Sequence, residues 1–386
     1  MDSVGSTDMR QRLAVQLMES GNLRALAWRR AVERVPREVL VPRYFDRADG
    51  EAEYELIDGG RPEHHDRWLT AVYDPRESLV IDFDRRTGYP TSSSTMPAIV
   101  VSMLELLAPE PGHRVLEIGT GSGYSTALLC ERLGSENVTS VDVDPQLVAA
   151  AGERLRSLGY HPELVAADGI EGHRTSAPYD RVVSTCNIRR VPTQWVEQTR
   201  PGGSILATLP ETVVLLTVHE DGSASGHLCP HAYSFMNARR HSPAHLTSSG
   251  ERSTVSGKGD VRPAQVNPRI ILGGREIPWF WAACRLLVIP FCTTFTIDDS
   301  RMGIVATDDL SWVVIDHSGA GTITQGGLRR VWDQCEDLFR LLESLGRPER
   351  TRFGLTVDRD GSQHIWLDCP TGQHRWRLAG VTRQDS

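Results

Sequence analysis

No stretch of the 386 residues approaches the run of about 18 apolar residues that a membrane-spanning helix requires, which excludes a helical membrane protein and a membrane partner. Cysteine is sparse. The seven residues (130, 186, 229, 284, 292, 335 and 369) are odd in number, scattered and without a CxxC pair, so no disulfide framework is expected. The opening MDSVGSTDMR lacks a basic stretch followed by an apolar core, hence no secretory signal is read and a cytoplasmic chain is expected. Positive charge is not in surplus: 42 basic against 50 acidic residues leave a net charge of -8, so nucleic acid is not an expected partner. All but one of the basic residues are arginine, Lys258 being the exception. Arginine suits carboxylate binding, but a GC-rich coding bias yields the same composition, and no conclusion rests on it. There is no P-loop, no Ser-His-Asp arrangement and no internal repeat.

What remains is an ordinary globular composition, 39% hydrophobic and 24% charged, in a chain long enough for two domains. Residues 9–45 read as helical from the spacing of Met9, Leu13, Leu17 and Leu26. Residues 46–90 are mixed and acidic, with strand-like pieces AVY (71–73) and SLVIDF (78–83). Pro97 suits the first turn of a helix over 98–107, which the hydroxyl-rich run before it can cap.

An alternation of strands and helices then decides the fold class. RVLEIG (114–119), VTSVDVD (138–144), PELVAAD (162–168), YDRVVSTC (179–186) and GGSILATL (202–209) read as buried strands, with helices between them. The expected class is α/β, a Rossmann-like parallel sheet covered on both faces. The segment 211–236 suggests an antiparallel edge hairpin turning at Asp221-Gly222. The division expected is a domain over 1–240, a Ser/Gly/Thr/Pro-rich linker over 241–262 and a C-terminal α+β domain over 263–386. In the last, RLLVIPF (285–291), SWVVID (311–316), RFGLTV (352–357) and HIWLD (364–368) read as strands. Leu328, Val331, Trp332, Cys335, Leu338, Phe339 and Leu342 form one helical stripe ended by Gly346 and Pro348.

Chemistry concentrates at the first strand of that alternation. The turn G-T-G-S-G (Gly119, Thr120, Gly121, Ser122, Gly123) lies between strand and helix, with Glu117 inside the strand. Glycines let a ligand approach the backbone, and the helix start offers N–H groups. NAD-binding folds use a similar turn, so alone it discriminates little. Asp142, with Val143 beside it, ends the second strand, where a carboxylate can accept from both ribose hydroxyls. Asp168-Gly169 ends the third, placed for an adenine amine. If the ligand is S-adenosylmethionine, the turn meets its methionine carboxylate and Glu117 its ammonium. Elsewhere His227, Cys229 and His231 alternate as metal ligands on one strand face can, but exposure or packing explains them as well, and no metal is expected. Trp279, Phe280 and Trp281 read as core, with a substrate platform as the other possibility.

VLEIGTGSGYSTALL (115–129) resembles the signature of protein L-isoaspartate O-methyltransferases, and AVERVPREVLVP (31–42), VTSVDVDPQLVAAA (138–151) and WVEQTRPGGSIL (195–206) are similar to other blocks of that family. The resemblance spans about residues 9–237. It implies a class I methyltransferase sheet, S-adenosyl-L-methionine as donor and methyl esterification of an isoaspartyl or related carboxylate. The family's acceptor motif, usually T-I-S-Q-P, falls on Ser93-Ser94-Thr95-Met96-Pro97. Thr95 stands where the essential serine is usual, and Met96 where glutamine is. The resemblance makes Ser93, Ser94 and Thr95 the candidate catalytic residues, expected to position an already ionised carboxylate rather than exchange protons with it. The neighbouring backbone nitrogen can then attack the methyl ester, expel methanol and close a succinimide.

The added length and S-S-S-T-M-P resemble an actinobacterial branch that tailors ribosomal peptides, as does 324–357. That branch implies a modified, macrocyclic precursor peptide (lanthipeptide or graspetide) as partner, with Asp converted through methyl ester to aspartimide or isoaspartate. The accessory domain would then enlarge the peptide-contacting surface. General isoaspartyl repair, and a catalytically inactive binding scaffold on the same fold, are the alternatives.

Overall fold

The computed structural model describes residues 4–47, 53–231, 233, 235–238, 259–273, 276–289, 292–306 and 309–378. The chain divides into two compact units. The first holds the chain to Cys186 with Pro192–Ala207 and Thr217–Gly222; the second holds Asn187–Val191, Thr208–Leu216 and the chain from Ser223.

In the first unit the N-terminal region is helical, as its spacing predicts: α1 (Val4–Glu19), α2 (Leu26–Arg34) and α3 (Arg37–Leu40). Leu13, Ala14, Leu17, Trp28, Ala31 and Val32 are buried. The acidic region after it is a sheet rather than loosely joined pieces. β1 (Arg43–Asp46), β2 (Glu55–Asp58), β3 (Leu79–Phe83) and β4 (Pro90–Ser94) pair antiparallel in the order β2-β1-β3-β4. The AVY piece is not a strand. It ends α4 (His65–Tyr73), where Trp68 and Val72 are buried four residues apart. Three apolar residues in a row are too short a window to separate strand from helix, and the helical period shows only when Trp68 is included.

The hydroxyl run also departs from its expected part. It forms β4 instead of capping the next helix. The cap of α5 (Pro97–Leu107) is Met96, with no side-chain capping bond, and its N–H donates to Ser78 Oγ at 3.0 Å. Strand alternation then buries Ser92 and Ser94 and leaves Ser93 and Thr95 half-buried.

The parallel sheet follows with β5 (Val115–Ile118), β6 (Val138–Asp142), β7 (Glu163–Ala166), β8 (Tyr179–Asn187) and β9 (Thr199–Leu209), in the order β9-β8-β5-β6-β7. β5 pairs parallel with both β6 and β8, and β6 with β7. The helices α6 (Tyr124–Leu133), α7 (Pro145–Ser157) and α8 (Thr193–Gln198) connect them. The chain leaves β5 toward β6 and later returns to β8 on the other side. That reversal opens a crevice at the carboxyl ends of the strands, where open α/β sheets bind ligands.

In the second unit the expected hairpin is present as β10 (Thr212–Val218) and β11 (Ala224–His227), and β11 has a further antiparallel partner on its other side. The remaining strands are β12 (Asp260–Pro263), β13 (Cys292–Thr296), β14 (Arg301–Ala306), β15 (Trp312–Asp316), β16 (Thr322–Gly326), β17 (Phe353–Val357), β18 (Gln363–Leu367) and β19 (Arg375–Arg377). β11 pairs with β17, and β18 and β19 continue outward, while β12-β16-β15-β14-β13 form a separate antiparallel sheet. Most of the expected linker, residues 241–258, lies outside the described residues, and its end enters β12.

Among the described residues the unit also holds the helices α9 (Pro268–Gly273), α10 (Phe280–Leu287) and α11 (Val331–Ser344). RLLVIPF is therefore not a strand; residues 285–287 end α10, and 290–291 lie outside the described residues. A short apolar run fits a buried helix as well as a strand, and here Phe280, Ala283 and Cys284 upstream carry the helical period. The α11 stripe is buried as expected except for Leu328, which precedes the helix and is 88% exposed. Trp279 and Phe280 are core residues, and Trp279 packs at 4.6 Å on Phe353.

Candidate active site

The glycine turn after β5 is shaped by conformations that side chains resist. Gly119, Gly121 and Gly123 have φ of 105°, 51° and 85°. A Cβ on Gly119 would collide with Thr185 Oγ1, which donates to the carbonyls of Ile118 at 3.0 Å and Gly119 at 2.9 Å. Thr185, which sequence reasoning passed over, thus laces the end of β8 to the end of β5. Ser140 was also passed over. Its hydroxyl lies 2.7 Å from Thr120 Oγ1 and donates to Glu117 Oε2 at 2.7 Å.

Glu117 is fully buried. Oε2 accepts from Thr126 and Ser140, whereas Oε1 has no hydrogen-bond partner among the described residues. Burial drives this carboxyl above its ordinary pKa, against the hydroxyls of Ser125, Thr126 and Ser140 that favour its charged form. An acid held dry with one oxygen unpaired is suited to receive a cationic donor such as an ammonium group.

Asp142 stands at the end of β6, with Val143 beside it 43% exposed. Its Oδ2 accepts from Gly121 N–H and its Oδ1 from Asp144 N–H, at 3.0 and 3.1 Å. Each oxygen keeps a second lone pair, so the carboxylate holds the turn and can still accept from ligand hydroxyls. Asp168 accepts from Ile170 N–H at 3.1 Å, and the carbonyl of Gly169 accepts from Trp195 Nε1 at 2.8 Å. A Cβ on Gly169 would meet Ile118 at 2.5 Å. Trp195 opens a block already noted as similar to the family, but its part here was not read from the sequence.

The hydroxyl run reaches this turn. Ser122 Oγ donates to Ser94 Oγ at 3.1 Å, and a Cβ on Gly121 would lie 3.4 Å from the carbonyl of Ser93. The run and the turn, joined by residues 28 apart in sequence, lie side by side in the first unit. The His227, Cys229 and His231 alternation takes no part. His227 Nδ1 lies 3.0 Å from the Thr351 carbonyl, with its ring edge-on to Trp366, and Cys229 is buried.

Comparison with known proteins accords with this geometry. The family described as Protein-L-isoaspartate(D-aspartate) O-methyltransferase (PCMT) matches residues 70–224. A Protein-L-isoaspartate O-methyltransferase of Methanothermobacter thermautotrophicus is 32% identical over 201 residues, 52% of this chain and 78% of that protein. The chain belongs to the protein-L-isoaspartate O-methyltransferase family. One from Staphylothermus marinus is 33% identical over 223 residues, 55% of this chain and 85% of its own. A solved structure named as a protein-L-isoaspartate O-methyltransferase shares the fold at 20% identity and a TM-score of 0.54, over 93% of this chain and all of its own.

As a member of the isoaspartate methyltransferase family, the chain is an enzyme that uses S-adenosylmethionine to methylate a carboxylate. The unpaired oxygen of Glu117 and the glycine turn fit that cofactor. Glu117 would hold the ammonium, the turn from Gly119 to Gly123 the methionine carboxylate, Asp142 the ribose, and Val143 with Asp168-Gly169 the adenine.

Proposed function

We propose that the chain methylates the free α-carboxylate of an isoaspartyl residue in a peptide or protein, the first step of isoaspartyl repair. The observation that carries this reading is the Ser94–Ser122 hydrogen bond at 3.1 Å, which ties the acceptor run to the turn beside Glu117. When bound, the cofactor supplies a sulfonium methyl that is already electrophilic. The chain's own residues need no general base, because a carboxylate is ionised at neutral pH. Their work is orientation: Ser93 on β4 and Thr95 just after it, both half-buried, receive the carboxylate, while Ser94 anchors the strand. Orientation of this kind supplies roughly 7–11 kcal/mol of barrier reduction. The relatives named above support a peptide isoaspartate as acceptor.

A second reading, tailoring of an aspartate in a modified precursor peptide, draws on Thr95 and Met96, which depart from the family's usual serine and glutamine. An added methyl and a lost amide reshape the acceptor pocket. One assay separates the two: an isoaspartyl hexapeptide and a crosslinked Asp-containing peptide are offered with S-adenosylmethionine, and methyl ester formation is followed by mass. Fast turnover of the hexapeptide is expected. Turnover of the crosslinked peptide alone would replace the repair reading with tailoring, and turnover of neither would overturn both.

A further inference from the structure

We propose that Arg37 is a positioning residue for methyl transfer, acting through Ser94 to hold the acceptor strand in register with the glycine turn. This rests on the reading just given. Arg37 lies in α3, remote in sequence from both parts of the site, and is fully buried. Its Nη2 donates to the carbonyls of Ser94 and Thr95, both at 3.2 Å, and to Ser94 Oγ at 3.1 Å. Nη1 donates to the carbonyl of Val72 at the end of α4. The guanidinium carbon sits 5.3 Å from the ring centre of Tyr124, the first residue of α6 after the glycine turn. One planar group therefore touches α4, the acceptor strand and the helix that the turn begins.

Two features exceed what packing asks. Burying a guanidinium is costly unless a carboxylate is bonded to it, and among the described residues its hydrogen-bond partners are neutral oxygens. Asp74 and Glu77 act on it only through space, and burial lowers its pKa to about 10, so it remains charged at neutral pH. Ser94 Oγ, moreover, accepts from both Arg37 and Ser122, which occupies both its lone pairs and locks its rotamer. Arg37, Ser94 and Ser122 form a continuous chain from α3 to the turn. Its effect is to set where β4 presents Ser93 and Thr95. In-line transfer is sensitive to that placement, a shift of about 1 Å costing on the order of 100-fold in rate.

The test is a double-mutant cycle on the full chain with Arg37→Lys and Ser94→Ala, read as kcat and KM on an isoaspartyl peptide, with S-adenosylhomocysteine affinity measured alongside. Lysine keeps the charge but loses the fork. Each single change is expected to lower kcat by about 10–100-fold while cofactor affinity holds within about twofold. The double variant is expected to be no slower than the worse single one, because both changes cut the same chain. Losses that multiply, or an equal fall in cofactor affinity, would overturn the assignment and leave Arg37 a structural residue. Should Arg37→Lys not fold, the Ser94→Ala and Ser122→Ala cycle in kcat decides by the same criterion. No methyl transfer by the unaltered chain would overturn the function reading itself, and this assignment with it, an outcome distinct from turnover with multiplying losses.

Discussion

Two glutamates among the described residues are completely buried, one in each unit, and they are built differently. Glu336 on α11 has both oxygens satisfied. Oε2 accepts from Arg262 at 2.7 Å, and Oε1 from the N–H groups of Gln265 and Val266 at 2.8 and 3.2 Å and from Trp332 Nε1 at 3.1 Å. Its counter-charge comes with the fold. Glu117 on β5 has hydroxyls on one oxygen, nothing on the other and no cation bonded to it among the described residues. The first acid fastens a helix to a strand and a loop. The second has no counter-charge among the described residues, and on the proposed reading the ammonium of the cofactor would complete it. Burial alone does not mark a functional acid; the missing counter-charge does.

The largest expected effect tests the structural member of that pair. Glu336→Ala leaves Arg262 short of a partner and three N–H groups unpaired, and should destabilise by about 3 kcal/mol in a denaturant melt. A loss under about 1 kcal/mol would break the contrast. Glu117→Gln should do the reverse: stability held or raised in the free enzyme, because a dry charge is removed, and S-adenosylhomocysteine affinity down about 10–100-fold by calorimetry, the value of about 1.5–3 kcal/mol for a hydrogen bond to a charged group. Unchanged affinity would detach Glu117 from the cofactor.

Gly119→Ala sharpens the local claim. The positive φ and the collision with Thr185 together should cost about 1–2 kcal/mol, seen as a lowered Tm. The smallest effect is on pH dependence. A protonated Glu117 must lose its proton before taking an ammonium, so cofactor affinity should rise with pH through its elevated pKa and then level. The free enzyme shows the opposite slope from this group: its stability contribution is full below the ordinary glutamate pKa and is lost as pH rises through the elevated one. The Glu117→Gln variant should be flat in both measurements.

The cofactor half of the site was legible because its elements are local. A strand, a glycine turn and a helix start follow one another between Val115 and Leu133, Asp142 ends β6 and Asp168 follows the end of β7, so parallel pairing brings them to one edge. The acceptor half was legible only in part. Its hydroxyls were visible as a run open to two descriptions, an acceptor cradle and a helix cap, and only pairing with β3 removes the second. The roles of Thr185 and Trp195 left no sign in the sequence, because their partners are backbone carbonyls of distant residues. AVY and RLLVIPF failed for a common reason: short apolar runs do not reveal their period.

By itself the amino-acid order determined the alternation of strands and helices, the glycines at the turn and the acids at the strand ends, all set by neighbours close in the chain. Only the tertiary structure decided that Arg37 lies beneath Ser94, that Ser94 touches Ser122, and that one oxygen of Glu117 goes unpaired while Glu336 is satisfied. Those outcomes depend on side chains brought together across tens of residues, where packing and hydrogen-bond geometry, not local propensity, choose the partner.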